Sequence, residues 1–243
     1  MNLYFELTYK CNLSCPFCFI KNLSKKDMSL TTYKRFLKEA QELKDKGLFK
    51  KFKITLSGGE PSLLNNISKF IQIGRSFGKV TLVSNGTNPK ILGLNPDAFE
   101  ISVQFDNFYK TRIAIVNKLL ESKKIILKCV ATNSNINNIK QLAEKYSNVP
   151  ILVSPVKKVP YNVKPTIEQL KELTTYRNIF LETNCPAGRG FFVITPSSEV
   201  LSCFLTRKFL GKSLKEAIAN SYRVKPFECE TDQEYVKNLR CLK

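Results

Sequence analysis

Three cysteines in one short segment carry the clearest chemical signal in the sequence. Cys11, Cys15 and Cys18 have the spacing Cys-x3-Cys-x2-Cys, and they follow the apolar run 3–7, which has the pattern of a strand. Three thiolates on one loop can hold three irons of a four-iron cluster and leave the fourth iron open to a small chelating molecule. Half of a structural zinc site is the alternative interpretation of the same residues.

Most of the other cysteines lie late in the chain. Cys185, Cys203, Cys229 and Cys241 fall in a short segment with little apolar sequence, and such segments usually need a staple such as a metal site. Disulfide bonds are the alternative for these four residues. Cys129 lies inside an apolar predicted strand, which predicts a buried structural thiol.

The absence of histidine excludes several classes of site. None of the 243 residues is a histidine, which rules out Ser-His-Asp and Cys-His nucleophilic sites, histidine bases, His-containing zinc sites and facial-triad iron sites. The charge is also unusual, because 39 Lys and Arg against 20 Asp and Glu give a net charge of +19. A basic surface favours an acidic peptide or nucleic acid as partner, although dispersed lysines are also typical of an ordinary solvated surface.

Strand-like and helix-like segments alternate through the first 155 residues. The predicted strands are 3–7, 52–56, 80–83, 99–103, 125–131 and 151–153. The predicted helices are 29–47, about 62–77, 109–122 and 137–146. Six βα repeats imply parallel strands with right-handed crossovers, so the sequence predicts an α/β fold with a partial (β/α)6 TIM-like barrel. A helix near 166–177 and a hairpin with strands 191–195 and 200–203 follow.

Glycine-rich and polar loops directly follow the first four predicted strands. Besides the cysteine loop, these are Gly58-Gly59-Glu60-Pro61, Ser84-Asn85-Gly86-Thr87 and Gln104-Phe105-Asp106. In βα barrels the active site forms where such loops converge. Gly58 and Gly59 let the backbone approach a ligand closely, and Glu60 offers an acceptor for an ammonium group.

The cysteine spacing, with the aromatic Phe17 directly before the last cysteine, resembles the signature of the radical S-adenosylmethionine (SAM) enzymes. The resemblance implies a [4Fe-4S] cluster on Cys11, Cys15 and Cys18 whose open iron binds SAM. An electron from the reduced cluster then cleaves SAM to a 5′-deoxyadenosyl radical, which abstracts a hydrogen atom from the substrate. The SAM-binding residues that the resemblance implies are Phe17, Gly58, Gly59, Glu60, Pro61, Ser84, Asn85 and Gln104. For Ser84 and Asn85, ordinary turn chemistry is the alternative.

The late segment resembles the SPASM or twitch extension of many radical SAM enzymes, in its Cys-Pro-Ala-Gly-Arg start at Cys185 and its hairpin ending in Cys203. That resemblance implies an auxiliary [4Fe-4S] cluster on Cys185, Cys203, Cys229 and Cys241, in the shorter, single-cluster twitch form. A four-thiolate zinc site is the alternative. The predicted domains are a radical SAM partial barrel, 1–180, and a small twitch-like α+β domain, 181–243.

These resemblances predict a radical SAM enzyme of the oxidoreductase or maturase type that acts on a peptide or protein side chain. One alternative is a radical SAM dehydrogenase or rearrangement enzyme for a small metabolite or nucleotide. Another is a non-enzymatic iron-sulfur or zinc carrier, or a nucleic-acid-binding protein. The expected partner is a flavodoxin- or ferredoxin-like electron donor. No apolar run approaches the roughly 20 residues of a membrane span, so we expect a cytoplasmic protein without membrane contact.

Overall fold

The chain forms two compact units. The computed structural model describes residues 1–20, 23–156, 163–187, 190–226 and 233–242. The first unit comprises Met1–Ser84, Gly93–Ala98 and Pro186–Glu228, and the second unit comprises Asn85–Leu92, Phe99–Cys185 and Cys229–Lys243. No helix in these described ranges has the length and apolar character that crossing a membrane requires.

Parallel strands alternate with helices along most of the chain. In the described part, the strands are β1 (Asn2–Thr8), β2 (Lys53–Gly58), β3 (Val80–Ser84), β4 (Ala98–Ser102), β5 (Ile125–Ala131), β6 (Ile151–Pro155), β7 (Ile179–Leu181), β8 (Phe191–Ile194), β9 (Val200–Leu201) and β10 (Phe209–Gly211). The α-helices are α1 (Leu30–Asp45), α2 (Ile67–Arg75), α3 (Tyr109–Leu120), α4 (Ile136–Lys145), α5 (Ile167–Leu173), α6 (Leu214–Asn220) and α7 (Gln233–Arg240). Short 3-10 helices lie at Pro61–Leu63, Pro89–Gly93 and Ser221–Arg223.

In the first unit, β1 is flanked by parallel strands on both sides. It pairs with β2 on one edge and with β8 on the other, while β9 pairs antiparallel with both β8 and β10. Leu3 and Phe5 are fully buried, and Phe5 meets the ring of Tyr33 on α1 with ring centroids 4.7 Å apart. Because successive residues of a strand point to opposite faces, Glu6 lies on the face that α1 does not cover.

In the second unit, β4 to β7 are consecutive parallel neighbours. On β5 the buried residues alternate with partly exposed ones, and the buried Leu127 and Cys129 pair in register with the buried Ile151 and Val153 of β6. Helices α3 and α4 both pack on β5. One face of these strands therefore belongs to the core, as the alternation in the sequence predicts.

The structure confirms the predicted α/β fold with parallel strands. The fifth strand begins and ends at its predicted residues, and α1 buries its predicted face through Tyr33, Phe36, Leu37, Ala40 and Leu43. Ser29 caps α1 by accepting a hydrogen bond from the amide of Thr32, and Gly47 after its end has φ +77°. The predicted hairpin forms as β8 and β9.

Two predicted helices differ from the observed ones. The single helix expected near 62–77 is divided into a 3-10 turn and α2, because the backbone of Leu64 is extended and two asparagines, which favour turns over helix interiors, follow it. The helix expected at 166–177 ends at Leu173. There the hydroxyls of Thr174 and Thr175 donate to the carbonyls of Lys171 and Glu172, a pattern that competes with helix continuation.

Several elements were not predicted. The strands β7 and β10 have three residues each, too few for a periodic pattern, and α6 was also missed. The parallel pairing of β8 with β1 joins residues about 190 positions apart, which no local pattern in the sequence reveals.

Candidate active site

The loop between β1 and α1 carries the three early cysteines in the first unit. Cys11 is exposed, Cys15 and Cys18 are partly exposed, and none of them is in a disulfide. The amide of Cys18 donates to the carbonyl of Cys15 at 3.2 Å, which closes a turn between them. The amide of Leu13 donates to Sγ of Cys11 at 3.4 Å.

These thiols share one accessible loop, but their sulfur atoms are not gathered around a common point in this structure. Within the described residues, no group of three or more Cys, Asp or Glu side chains is assembled closely enough to hold a metal ion.

The Gly58-Gly59 turn lies against the start of this cysteine loop. The amide of Gly59 donates to the carbonyl of Thr8 at 2.7 Å, and the amide of Glu60 donates to the carbonyl of Lys10 at 2.8 Å. A Cβ on Gly58 would lie 2.3 Å from the oxygen of Thr8, and a Cβ on Gly59 would lie 2.1 Å from that of Lys10. Only residues without a side chain allow this approach, so the two glycines hold the end of β2 against the loop.

The carboxylate of Glu60 is fully buried, and it accepts hydrogen bonds from its own turn and from the end of β3. Its Oε1 accepts from the amide of Ser62 at 3.0 Å and from the hydroxyl of Ser84 at 2.9 Å. Glu60 therefore links the ends of β2 and β3, and it supplies an anion beside the glycine turn. Ser84, a predicted SAM contact, donates its hydroxyl to Glu60 in this structure.

An ion pair with a buried acid lies near the end of β1, just before the cysteine loop. Glu6 is fully buried and accepts two hydrogen bonds from Arg207, at 2.8 and 3.0 Å. The hydroxyl of Tyr9 donates to Glu6 at 2.9 Å, and Arg207 also donates to that hydroxyl at 2.9 Å. Burial, followed by the charge of Glu6, raises the pKa of Tyr9, so its hydroxyl stays protonated. Sequence analysis missed this pair, because Arg207 lies outside any periodic segment.

Aromatic rings join the cysteine loop to the segment after β9. Phe17, the predicted neighbour of the SAM adenine, is partly exposed on the loop. Phe19 stacks on Phe204 with ring centroids 4.9 Å apart and an interplanar angle of 24°. Phe204 also contacts Tyr4 and Phe191. Phe19, which follows Cys18, and Phe204, which follows Cys203, therefore belong to one aromatic cluster of the first unit.

In the second unit, two predicted SAM contacts surround one buried arginine. Arg112 of α3 donates to the carbonyls of Asn85 and Gln104, both at 2.8 Å, and to both carboxylate oxygens of Asp106 at 2.6 and 2.9 Å. These bonds from Arg112 lower the pKa of Asp106. The side-chain oxygen of Asn85 accepts from the amide of Thr87 at 3.0 Å, which is turn chemistry.

Arg112 was also missed by the sequence analysis, although a signal was present. It lies on the same helical face as Val116 and Leu119, at spacings of four and seven residues, and all three are buried. A charged residue on the apolar stripe of a helix indicates a buried polar network.

The late cysteines differ in position and exposure. Cys203 is buried in the first unit, and its Sγ lies 3.3 Å from the amide of Thr206 and 3.0 Å from the hydroxyl of Thr206. Cys185 is partly exposed and Cys241 is exposed, both in the second unit, while Cys229 lies outside the described residues. Cys129 is fully buried as predicted, and burial raises its pKa to about 12.

A family model named Radical SAM superfamily matches residues 5–152, a range that includes the cysteine loop, the Gly58-Gly59 turn and Arg112. The chain belongs to the radical SAM superfamily. Membership of the superfamily implies a [4Fe-4S] cluster and SAM as cofactors.

Two curated relatives match part of the chain. A candidate glycyl-radical enzyme activating enzyme of Methanocaldococcus jannaschii is 29% identical over 51% of this chain and 47% of its own length. The subtilosin biosynthesis protein AlbA of Bacillus subtilis, named for an antilisterial bacteriocin, is 24% identical over 84% of this chain and 55% of its own length. The matched region is thus about half the length of these relatives.

Solved structures with bound AdoMet share the fold. Native anSMEcpe with bound AdoMet and the Kp18Cys peptide matches with a TM-score of 0.67, at 14% identity, over 98% of this chain and 83% of that chain. BtrN in complex with AdoMet and 2-DOIA matches with a TM-score of 0.56, at 15% identity, over 99% and 85%. The α/β fold with parallel strands therefore matches that of radical SAM partial barrels.

The residues of the first unit fit the implied cofactors by their chemistry. Three thiols outside disulfides on one accessible loop are the donors that a cluster with one open iron needs. The Gly58-Gly59 turn is bonded to that loop, and the buried carboxylate of Glu60 is an acceptor suited to an ammonium group.

Proposed function

We propose that this radical SAM enzyme modifies a side chain of a peptide or protein, by oxidation or crosslinking. The observation that carries its SAM chemistry is the pair of hydrogen bonds from the amides of Gly59 and Glu60 to the start of the cysteine loop. A simple iron-sulfur carrier has no need of this turn, whereas an enzyme that holds SAM on a cluster needs both elements side by side.

The proposed roles divide among three groups of residues. Cys11, Cys15 and Cys18 would hold the cluster, which supplies the electron for SAM cleavage when it is loaded and reduced. Glu60 would accept the SAM amino group in the turn that Gly58, Gly59 and Pro61 complete. Phe17, Ser84, Asn85 and Gln104 complete the proposed SAM-binding set.

A second cluster is part of the proposal. Cys185, Cys203, Cys229 and Cys241 would hold it in a twitch-like domain at 181–243, after a radical SAM barrel at 1–180. Support comes from the β8–β9 hairpin and from Cys203, whose Sγ lies 3.3 Å from the Thr206 amide and 3.0 Å from the Thr206 hydroxyl, contacts that would orient it as a ligand.

A macromolecular substrate is favoured by the charge and by the relatives. A net charge of +19 raises the encounter rate with an acidic chain more than with a small neutral molecule. One relative serves the biosynthesis of a bacteriocin, and one structural neighbour holds a peptide together with AdoMet. A flavodoxin- or ferredoxin-like donor in a reducing cytoplasm would supply the electron.

A small metabolite is the second candidate substrate. It is favoured by the fold match to BtrN, which was solved with the ligand 2-DOIA and which this chain matches over 99% of its length.

The cluster content is the first test. Three plus four cysteines should give about two four-iron clusters per chain after anaerobic reconstitution. Replacing Cys11, Cys15 and Cys18 together by Ala should remove one cluster and leave the other, whereas Cys129→Ala should remove none. An iron content that corresponds to a single cluster per wild-type chain would overturn the proposal of an auxiliary cluster, but not that of the SAM-binding cluster.

The substrate class is tested by isotope transfer. Candidate acidic peptides deuterated at one residue type should pass deuterium to 5′-deoxyadenosine when the loaded enzyme is reduced with SAM. Mass spectrometry of the nucleoside gives the transfer directly, and the triple alanine variant is the control. Transfer from a small metabolite or nucleotide, and from no peptide, would replace the proposed substrate.

A further inference from the structure

One guanidinium in the second unit binds the main chain of two separate loops. Arg112 is fully buried, its Nε donates to the carbonyl of Asn85, and its Nη1 donates to the carbonyl of Gln104. The first of these loops follows β3 and the second follows β4. Asp106 closes the arrangement with a bidentate ion pair to the same guanidinium.

The packing around Arg112 leaves these loops little freedom. Gly86 has φ +68°, and a Cβ there would lie 2.8 Å from Cγ2 of Ile101 and 3.5 Å from Cγ of Arg112. The Asn85 loop therefore rests directly on the aliphatic stem of the arginine. Asp106 also accepts from the amide of Phe108 at 2.9 Å, which ties the Gln104 loop to the start of α3.

We propose that Arg112 is a positioning residue for SAM, which sets the Asn85 and Gln104 loops in the arrangement that binds the cofactor. The inference rests on the proposed SAM contacts of Asn85 and Gln104. Arg112 itself would act through these loops rather than touch SAM, because its guanidinium bonds go to the Asn85 and Gln104 carbonyls and to the Asp106 carboxylate.

The fork of the guanidinium, rather than its charge, carries this role. A lysine keeps the positive charge, but its single ammonium cannot reproduce two main-chain bonds and a bidentate carboxylate pair in fixed directions. Arg112→Lys therefore keeps the positive charge and removes the fixed directions of the hydrogen bonds, so it tests the two contributions separately. Arg75→Lys is the matched control, because Arg75 is half-exposed on the surface of the first unit, where it donates to the Asn95 carbonyl and forms an ion pair with Asp97.

The first measurement is amide hydrogen exchange of the full chain without SAM. In Arg112→Lys, the amides of Thr87 and Phe108, which bond to side chains of the two loops, should exchange at least about 10-fold faster than in the wild type. The Arg75→Lys variant should leave both amides unchanged. Wild-type exchange at both amides in a folded Arg112→Lys variant would overturn the inference.

The second measurement is SAM binding by the reconstituted protein. The Kd for SAM should rise about 10-fold or more in Arg112→Lys, while the iron content and the spectrum of the SAM-free cluster stay those of the wild type. Asp106→Asn, at a partly exposed site, is the second variant should Arg112→Lys not fold, and it should loosen Phe108 more than Thr87. An unchanged Kd would overturn the inference alone, whereas a wild type that does not bind SAM would overturn the proposed function.

Discussion

Each unit of the molecule holds a loop of the proposed site beside an arginine–carboxylate ion pair, but the two pairs are opposite in which charge is buried. In the first unit the acid, Glu6, is fully buried, and the side chain of Arg207 retains 21% of its exposure. In the second unit the base, Arg112, is fully buried, and the side chain of Asp106 is 40% exposed. A buried charge that loses its partner destabilises the fold far more than an exposed one.

The sequence distance between the partners differs as well. Glu6 and Arg207 are 201 residues apart, whereas Asp106 and Arg112 are six apart. The cysteine loop therefore depends on a segment from the other end of the chain, and the loops around Arg112 depend on one nearby helix. We expect loss of Arg207 to lower the stability of the whole fold. Neutralising Asp106 should have a local effect, because Arg112 keeps the carbonyls of Asn85 and Gln104 as acceptors.

The largest effect is expected from breaking the long-range pair. Arg207→Met leaves the buried carboxylate of Glu6 without its cation, which should lower the free energy of unfolding by about 3–5 kcal/mol. Urea denaturation of the cluster-free protein measures the change. The double variant Glu6→Gln, Arg207→Met should recover a large part of the loss. A loss below about 1 kcal/mol in the single variant would contradict the importance of the buried charge.

Gly59→Ala should have the next largest effect on stability, and we expect this effect to be confined to the cysteine loop. The new Cβ would meet the backbone oxygen of Lys10 at 2.1 Å, so the loop must move at a cost of about 1–3 kcal/mol. Iron incorporation at the first cluster should fall correspondingly. Gly93→Ala is the control, because a Cβ there meets nothing within 4 Å. Equal iron content in both variants would show that the turn does not hold the loop.

Glu60→Ala is expected to affect SAM more than the cluster. Removing the carboxylate deletes the proposed acceptor for the SAM amino group and the partner of Ser84, so the Kd for SAM should rise by about 10-fold, equivalent to about 1.4 kcal/mol. Ser84→Ala removes only the second of these interactions and should have the smaller effect. SAM binding and reductive cleavage at wild-type levels in Glu60→Ala would remove Glu60 from the site.

Acidification should produce the smallest effect, in the second unit. Hydrogen bonds from Arg112 hold the pKa of Asp106 below its ordinary value. A carboxyl with a lowered folded-state pKa stabilises the fold above its unfolded pKa of roughly 3.9, and that contribution is lost as the pH falls through the folded pKa. Exchange of the Phe108 amide should therefore accelerate below about pH 4, beyond the intrinsic rate, and Asp106→Asn should remove this dependence.

The cysteine loop, the glycine turn and most of the strands could be predicted from the sequence because their signals are local. Three thiols on one loop, two adjacent glycines and alternating burial on β5 each act within a few residues. Glu6, Arg207 and the pairing of β8 with β1 could not be predicted, since each depends on a partner far along the chain. Arg112 is the intermediate case, because its place on an apolar helical face is a local sign of a long-range network.

The position of β8 beside β1 also has a consequence for synthesis. β1 is translated before the strand that flanks it, and the arginine that pairs with Glu6 also comes about two hundred residues later. Translation proceeds at roughly 5–20 residues per second. For about 10–40 seconds the nascent chain therefore has one unpaired edge of β1, the carboxylate of Glu6 without its arginine, and three accessible thiols in the cysteine loop. Loading of iron and sulfur into a native loop must therefore wait until β8 and Arg207 have been synthesised.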